Sequence, residues 1–323
     1  MDKVRWGIIG CGAVTEIKSG PGFRKADRSE LIAVMRRNGE LAADYARRHG
    51  VPRWYDDAQR LIHDREVDAV YIATPPSSHL EYALLCAQAG KPAYVEKPMA
   101  MNEPECRTML DAFEKAGVPL FVAYYRRALP RFLAIKEWID SGRIGQVRFV
   151  NVVHHAPPTA DELAGNGSWR VQPSIAGGGK FLDVGSHTLD ILDFLLGPIG
   201  HAAGRAANQA GLYGTDDIVS GHFTFASGAH GTGVWCFTAS RYAEMNEIVG
   251  SSGSIRFSTY GTEPVQLIDA DGTVHEIGFN MPEHIQQPLI QSIVDELTGT
   301  GVCASTGVSA ARTSAVMDRM RAN

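Results

Sequence analysis

The chain has 323 residues, 44% of them apolar and 21% charged, with a formal net charge of −5. A chain of this length divides into about two domains. Its composition excludes wholesale disorder, its length makes a disulfide or metal unnecessary for a core, and the lack of any basic block argues against a nucleic-acid partner.

The five cysteines, Cys11, Cys86, Cys106, Cys236 and Cys303, are scattered and form no CxxC pair. Such a set reads as free thiols in a reducing compartment. No apolar run approaches the roughly 20 residues that span a bilayer. The start, Met1-Asp2-Lys3 and then a short strand-like run, lacks the pattern of a signal peptide. The expectation is a cytoplasmic protein without membrane contact.

The first third alternates short β-branched runs with helical patterns. Strands are expected at Val4–Ile9, Leu31–Met35, Ala69–Ala73, Ala93–Val95 and Leu120–Ala123. Helices are expected at Leu41–His49 before Gly50, at His79–Ala89 before Gly90, and at Glu103–Ala116 with Asn102 as N-cap and Gly117 as stop. Continuous apolar strands separated by helices predict a parallel sheet covered on both faces. After Tyr125 the character changes. A helix over Leu129–Ser141 leads into strand Val147–His155, and a Pro- and Gly-rich loop precedes a helix from about Asp183 to Leu196. From Ile218 to Ile277 short strands carry the hairpin signals Ser227-Gly228 and Asp271-Gly272, which predicts a mostly antiparallel sheet. Helices over Ile285–Leu297 and Val308–Met320 finish the chain. The expected fold is α/β: a doubly wound domain over residues 1–124, then an α+β domain over 125–323.

Gly10-Cys11-Gly12 directly follows the first strand, with Thr15 where a third glycine often stands. Glycines there let the chain turn tightly and bring backbone N–H groups to a pyrophosphate. Gly20-Pro21-Gly22 should cut the following helix short. The second strand runs into Met35-Arg36-Arg37-Asn38, with no acidic residue to accept from an NAD ribose. Two guanidiniums suit a 2′-phosphate, so NADP(H) is expected over NAD(H).

The strand at Ala93–Val95 ends in Glu96-Lys97-Pro98, at a sheet end that borders a ligand crevice in folds of this class. Downstream, Gly177-Gly178-Gly179-Lys180 leads to Asp183, His187 and Asp190, which share one stripe of a helix at i, i+4 and i+7. Leu189, Leu192 and Leu196 lie away from that stripe and are expected to pack inward. Asp183 and His187 would also suit a metal, but the sequence offers no third ligand, so no metal is expected. Trp169-Arg170, just upstream, is an aromatic and a cation suited to covering a cofactor.

Together, Gly7–Gly12, Thr74-Pro75-Pro76-Ser77-Ser78-His79, Glu96-Lys97-Pro98, Arg126-Arg127, Gly142-Arg143-Ile144-Gly145 and the triple-glycine segment resemble the Gfo/Idh/MocA family. The region Val14–Arg37 also looks like the branch containing dihydrodiol dehydrogenases and NADP-dependent sugar dehydrogenases. The resemblance implies a Rossmann domain plus an open-sheet domain whose sheet face builds dimers or tetramers. It implies hydride transfer between a nicotinamide and a hydroxyl-bearing carbon of a sugar, inositol, polyol or dihydrodiol. It makes Lys97 the catalytic lysine, and Asp183 and His187 the substrate-binding and acid–base pair. The cofactor site would draw on Gly10, Cys11, Gly12, Ala13, Val14 and Thr15, on Arg36, Arg37 and Asn38, and on Thr74, Pro75, His79, Glu96 and Lys97, with Trp169 and Arg170 above it. Tyr124-Tyr125 stand where the family often has Phe-Asn, so substrate contacts at Tyr125 should differ. His154 and His155 are expected as half-buried strand histidines. A nucleotide-binding sensor of the same fold, or a non-sugar reductase, is the alternative, and the presence of Lys97, Asp183 and His187 weighs against it.

Overall fold

The computed structural model describes residues 2–322. The chain forms two compact units. One runs up to Leu129 and takes in Pro282–Ala311. The other holds Pro130–Met281 and the chain from Arg312 onward.

The first unit is built on β1 (Val4–Ile9), α1 (Ala13–Ile17), α2 (Gly20–Lys25), β2 (Ser29–Met35), α3 (Gly39–His49), β3 (Arg53–Tyr55), α4 (Ala58–Ile62), β4 (Ala69–Ile72), α5 (His79–Gln88), β5 (Ala93–Val95), α6 (Glu103–Ala116) and β6 (Leu120–Val122). All six strands are parallel, in the order β3-β2-β1-β4-β5-β6. Period-2 alternation divides the core between the two faces. Val70, Ile72, Ala93 and Val95 point to the face where Cys86, Cys106, Met109 and Phe113 of α5 and α6 are buried. Tyr71 and Tyr94 point to the other face. Their rings stack at 4.8 Å, with Phe23 against Tyr71 at 5.1 Å and Trp6 against Phe23 at 4.9 Å. Burying each such side chain contributes about 1.5–3 kcal/mol.

The helix ends follow the sequence signals. The Asn102 side chain accepts the Glu105 N–H at 3.0 Å, and Gly117 closes α6 in the left-handed region. Gly20 breaks the helix after the glycine turn into α1 and α2, as expected. The edge strand β3 goes beyond the five strands expected. Three residues between Pro52 and Asp56 offer no alternation to read, and the edge of a sheet already begun defines them.

The second unit contains α7 (Pro130–Asp140), β7 (Val147–His155), α8 (Ala160–Leu163), α9 (Pro173–Ala176), α10 (Ser186–Leu196), β8 (Ile199–Ala207), β9 (Ile218–Phe225), β10 (His230–Cys236), β11 (Ala243–Gly250), β12 (Gly253–Phe257), β13 (Val265–Asp269) and β14 (Val274–Ile277). Its eight strands run in the order β14-β13-β12-β11-β7-β10-β9-β8. Only the β7–β10 pair is parallel, so the sheet is mixed and mostly antiparallel. Gly228 and Gly272, at φ 88° and 87°, make the two expected hairpin turns. The Gly- and Ala-rich β8 lacks β-branched residues along most of its length and was not expected as a strand. On the inner face Val150, Val152, Trp235 and Ile248 are buried. On the outer face Phe149 and Met245 are each 41% exposed.

Near the C-terminus, α11 (Gln287–Leu297) belongs to the first unit, and α12 (Gly307–Arg321) begins in the first and ends in the second. The segment Pro282–Ala311 thus departs from the expected assignment of everything after residue 124 to one domain. The reason is packing: a Cβ on Gly22 of α2 would stand 2.8 Å from Ile290 of α11, and Asp27 N–H donates to Gln291 at 2.7 Å. Among the described residues no helix is long and apolar enough to cross a membrane.

Candidate active site

In the first unit, the switch point of a doubly wound sheet falls between β1 and β4, where ligands bind beyond the carboxyl ends of the strands. Gly10 ends β1 at φ 87°, and Thr74 follows β4. A side chain at Gly10 would strike Thr74 Cγ2 at 2.7 Å, so only glycine lets the two strand ends meet. The turn is tied back to β2 by Gly10 N–H and Cys11 N–H, which donate to Met35 O at 2.8 and 3.2 Å. Over Gly12 there is room: a Cβ there would meet nothing nearer than Gly10 O at 3.7 Å. Ala13 is exposed and Val14 half-buried, while Thr15 is buried with its hydroxyl on Gly12 O. A backbone turn with clearance above it fits a dinucleotide phosphate. Thr15 therefore braces the turn from below. The Cys11 thiol is buried and burial pushes it up to about 11, partly offset by Arg36, so it stays protonated at neutral pH.

Beyond β2, Arg36, Arg37 and Asn38 are exposed. Asn38 accepts the Leu41 N–H at 3.1 Å and so caps α3. Pro75 is exposed beside the half-buried Thr74.

Lys97 is half-buried just past β5. Its neighbours in the motif turn inward. Glu96 Oε1 accepts from Tyr71 Oη at 2.5 Å and from Gln286 Nε2 at 2.8 Å, while Oε2 accepts the Lys97 N–H at 3.2 Å. Tyr94 Oη donates to Gln286 Oε1 at 2.9 Å. His79 is fully buried, with Nε2 2.7 Å from Thr74 O and Nδ1 3.0 Å from Pro98 O. Burial holds its pKa below the ordinary value, against the pull of those carbonyls. Glu96 and His79, expected among the cofactor contacts, are held by these bonds within the chain on which Thr74 and Lys97 stand. Tyr125 is buried in the turn after β6 with the Arg126 guanidinium 4.8 Å over its ring.

In the second unit, the triple glycine leads into a π-helical turn, Phe181–Gly185, and only then into α10. The expected helix from Asp183 is therefore interrupted at its start. Gly185 permits the wide turn: a Cβ there would lie 2.6 Å from the Phe181 ring. Such turns occur often at functional sites. Asp183 is half-buried, and Arg170 Nε stands 3.2 Å from its Oδ2. The Arg170 guanidinium lies 4.5 Å over the Trp169 ring. His187 is 5% exposed, edge-on to Tyr260 at 6.1 Å. Tyr260 Oη donates to Val184 O, between Asp183 and His187. Asp190, three residues after His187 on α10, is 1% exposed, beside Thr313 of α12 at 3.4 Å. Leu189 and Leu192 pack inward as expected.

His154 is more buried than the half-buried strand position expected, at 5% exposure. It is ringed by Phe237, Tyr242 and Tyr260 at 5.6, 5.8 and 5.6 Å, and its Nδ1 has no hydrogen-bond partner among the described residues. Burial holds its pKa below the ordinary value. The signal for this was present, since His154 shares the inner face of β7 with Val150 and Val152. Tyr260 carried no such signal. The turn that presents it is set by Glu244, which accepts from Thr259 N–H at 2.7 Å and from Ser258 Oγ. Among the described residues no group of three or more His, Cys, Asp or Glu is placed to hold a metal.

Comparison with known proteins agrees with this architecture. The family model described as "Oxidoreductase family, NAD-binding Rossmann fold" matches residues 4–124, and that of the "GFO/IDH/MocA C-terminal domain" matches residues 132–256. Oxidoreductase P35 of Formosa agariphila is 40% identical over 90% of both chains. A 1,5-anhydro-D-fructose reductase of Ensifer adhaerens is 30% identical over 94% of this chain and 91% of its own. A levoglucosan dehydrogenase solved with NADH and levoglucosan superposes with a TM-score of 0.88, at 24% identity, over 98% of this chain and 96% of that one.

Proposed function

The chain belongs to the GFO/IDH/MocA oxidoreductase family, and from that premise we propose that it is an NADP(H)-dependent dehydrogenase or reductase acting on a hydroxyl-bearing carbon of a sugar, polyol or dihydrodiol. The observation that carries the reading is Lys97, half-buried at the end of β5, in the same parallel sheet as the glycine turn at the end of β1. The relatives named for an anhydrosugar and levoglucosan support the substrate class.

When bound, the nicotinamide dinucleotide supplies the hydride acceptor or donor. Gly10, Cys11 and Gly12 would hold its diphosphate through the backbone, and Arg36 and Arg37 its 2′-phosphate. Lys97 and His187 handle the proton of the reacting hydroxyl, and Asp183 orients the substrate. An imidazole suits this because its ordinary pKa lies near neutral pH. In the second unit, the Tyr260 ring beside His187 favours a substrate with apolar ring faces between its hydroxyls. The five free cysteines support a cytoplasmic location. A second copy of this chain covers the outer sheet face around Phe149 and Met245, giving a dimer or tetramer.

The test is a panel of sugars, inositols and trans-dihydrodiols with NADP+ and NADPH, followed by NADPH absorbance. No turnover of any member of the panel by a folded protein that binds the nucleotide would overturn the reading.

A further inference from the structure

Lys180 is the first side chain after the triple glycine, and Asp183 follows three positions later. Gly177 and Gly179 both stand at φ 66°, in the region that favours glycine, and the run from Gly177 to Gly179 has no side chain of its own to hold it. Lys180 supplies one. Its Nζ lies 2.6 Å from Glu162 Oε2, and the two side chains are only 16% and 5% exposed. The rings of Tyr213 and Phe237 flank Nζ at 5.7 and 5.9 Å.

Glu162 is itself held. It closes a capping box on α8: its Oε2 accepts the Thr159 N–H at 2.9 Å, and its own N–H donates to Thr159 Oγ1 at 3.2 Å. The pair therefore joins a fixed point at α8 to the start of the π-helical turn. The chain between them forms a closed loop. That loop carries Trp169 and Arg170, and Arg170 reaches Asp183 at 3.2 Å. Exposed ion pairs contribute little to stability, but a buried pair broken on one side leaves a charge without compensation. The geometry of this pair is thus enforced, and so is the position of what it joins.

We propose that Lys180 is a positioning residue for Asp183, with Glu162 as its counter-ion: their buried pair clasps the loop and fixes where the Asp183 carboxylate stands against Arg170. The proposal rests on the role given above to Asp183. Lys180 acts through Asp183, and neither Lys180 nor Glu162 is assigned a contact with substrate.

Two measurements test it. The first is hydrogen exchange on the ligand-free protein, which needs no substrate and so stands apart from any failure to find one. Lys180→Met should raise amide exchange across residues 181–187 by about tenfold or more, with Lys180→Arg close to the parent. Glu162→Gln should loosen the same segment, and serves alone if Lys180→Met does not fold. Unchanged exchange in the folded variants overturns the clasp. The second is a double-mutant cycle on a confirmed substrate. Lys180→Met should lower kcat/KM by roughly tenfold when Asp183 is present, and by less than about twofold in the Asp183→Asn background. Losses that multiply show that Lys180 does not act through Asp183, and the proposal falls even if exchange has risen.

Discussion

Tyr71 donates its phenol to Glu96 at 2.5 Å from the opposite side of the β4–β5 strand pair to the apolar helix-packed face. Burial pushes the Tyr71 phenol well above its ordinary value, with the Glu96 charge adding to the shift, so it remains a donor at neutral pH. Tyr71→Phe keeps the stacking on Tyr94 but leaves one carboxylate oxygen with the Gln286 amide alone. Losing a buried hydrogen bond to a charged group should cost about 1.5–3 kcal/mol. Thermal unfolding should show a Tm lower by several degrees, and an unchanged Tm would mean that Gln286 alone satisfies Glu96.

Arg36 and Arg37 should set the cofactor preference. Replacing both with alanine removes charge-assisted bonds to a 2′-phosphate and should weaken NADPH binding by about ten- to a hundred-fold while leaving NADH binding near the parent value. Fluorescence titration with each nucleotide measures both. Equal losses for the two nucleotides would assign the pair to the diphosphate or to solvent.

Lys97→Met and His187→Ala should each lower kcat by about 10²–10⁴-fold, the usual contribution of a positioned acid–base group. Asp183→Asn should raise KM more than it lowers kcat, since orientation is felt in binding. NADPH affinity should hold in all three. Near-parental turnover in Lys97→Met would remove the lysine from the chemistry and favour a sensor that binds nucleotide without catalysis.

Acid should destabilise the fold through two histidines. Burial holds both His79 and His154 below the ordinary value near 6.5, with Glu244 pulling His154 partly back. The unfolded chain therefore binds more protons than the folded one once pH falls below about 6.5. Their contribution is fully present above that pH and is lost as pH drops through the depressed folded values. Tm measured from pH 7.5 to 5 should decline more shallowly in His154→Phe than in the parent. Parallel curves would mean that His154 protonates without cost.

Static light scattering should give more than the 35.0 kDa of one chain. Placing glutamates at Phe149 and Met245, on the outer face of β7 and β11, should shift the mass toward the monomer, because charges would then be buried at an apolar interface. A monomeric parent at micromolar concentration would leave that sheet face without the assigned partner.

What the sequence shows of this protein is local. Asn102, Gly117, Gly228 and Gly272 act within a few residues of themselves, and each sits where its turn or cap was read. The glycine turn and Glu-Lys-Pro were legible because strand ends are marked by composition. β3 and β8 were not, since a short edge strand and a Gly- and Ala-rich one owe their form to neighbouring strands. The inward turn of Glu96 and His79 was hidden for a related reason: their partners, Tyr71 and Gln286 for one and the Thr74 and Pro98 carbonyls for the other, are chosen by tertiary packing. The π-helical turn escaped a reading based on 3.6-residue spacing, which cannot anticipate one extra residue per turn.

The return of Pro282–Ala311 to the nucleotide-binding unit has a consequence for synthesis. A ribosome releases β1 through β6 long before it reaches Gln286. Until then Glu96 lacks the amide that donates to it at 2.8 Å, and α2 lacks the α11 surface that Gly22 lies against. The first domain to be translated is thus among the last to be finished. The growing chain must shelter a half-built nucleotide unit while the whole second unit is made.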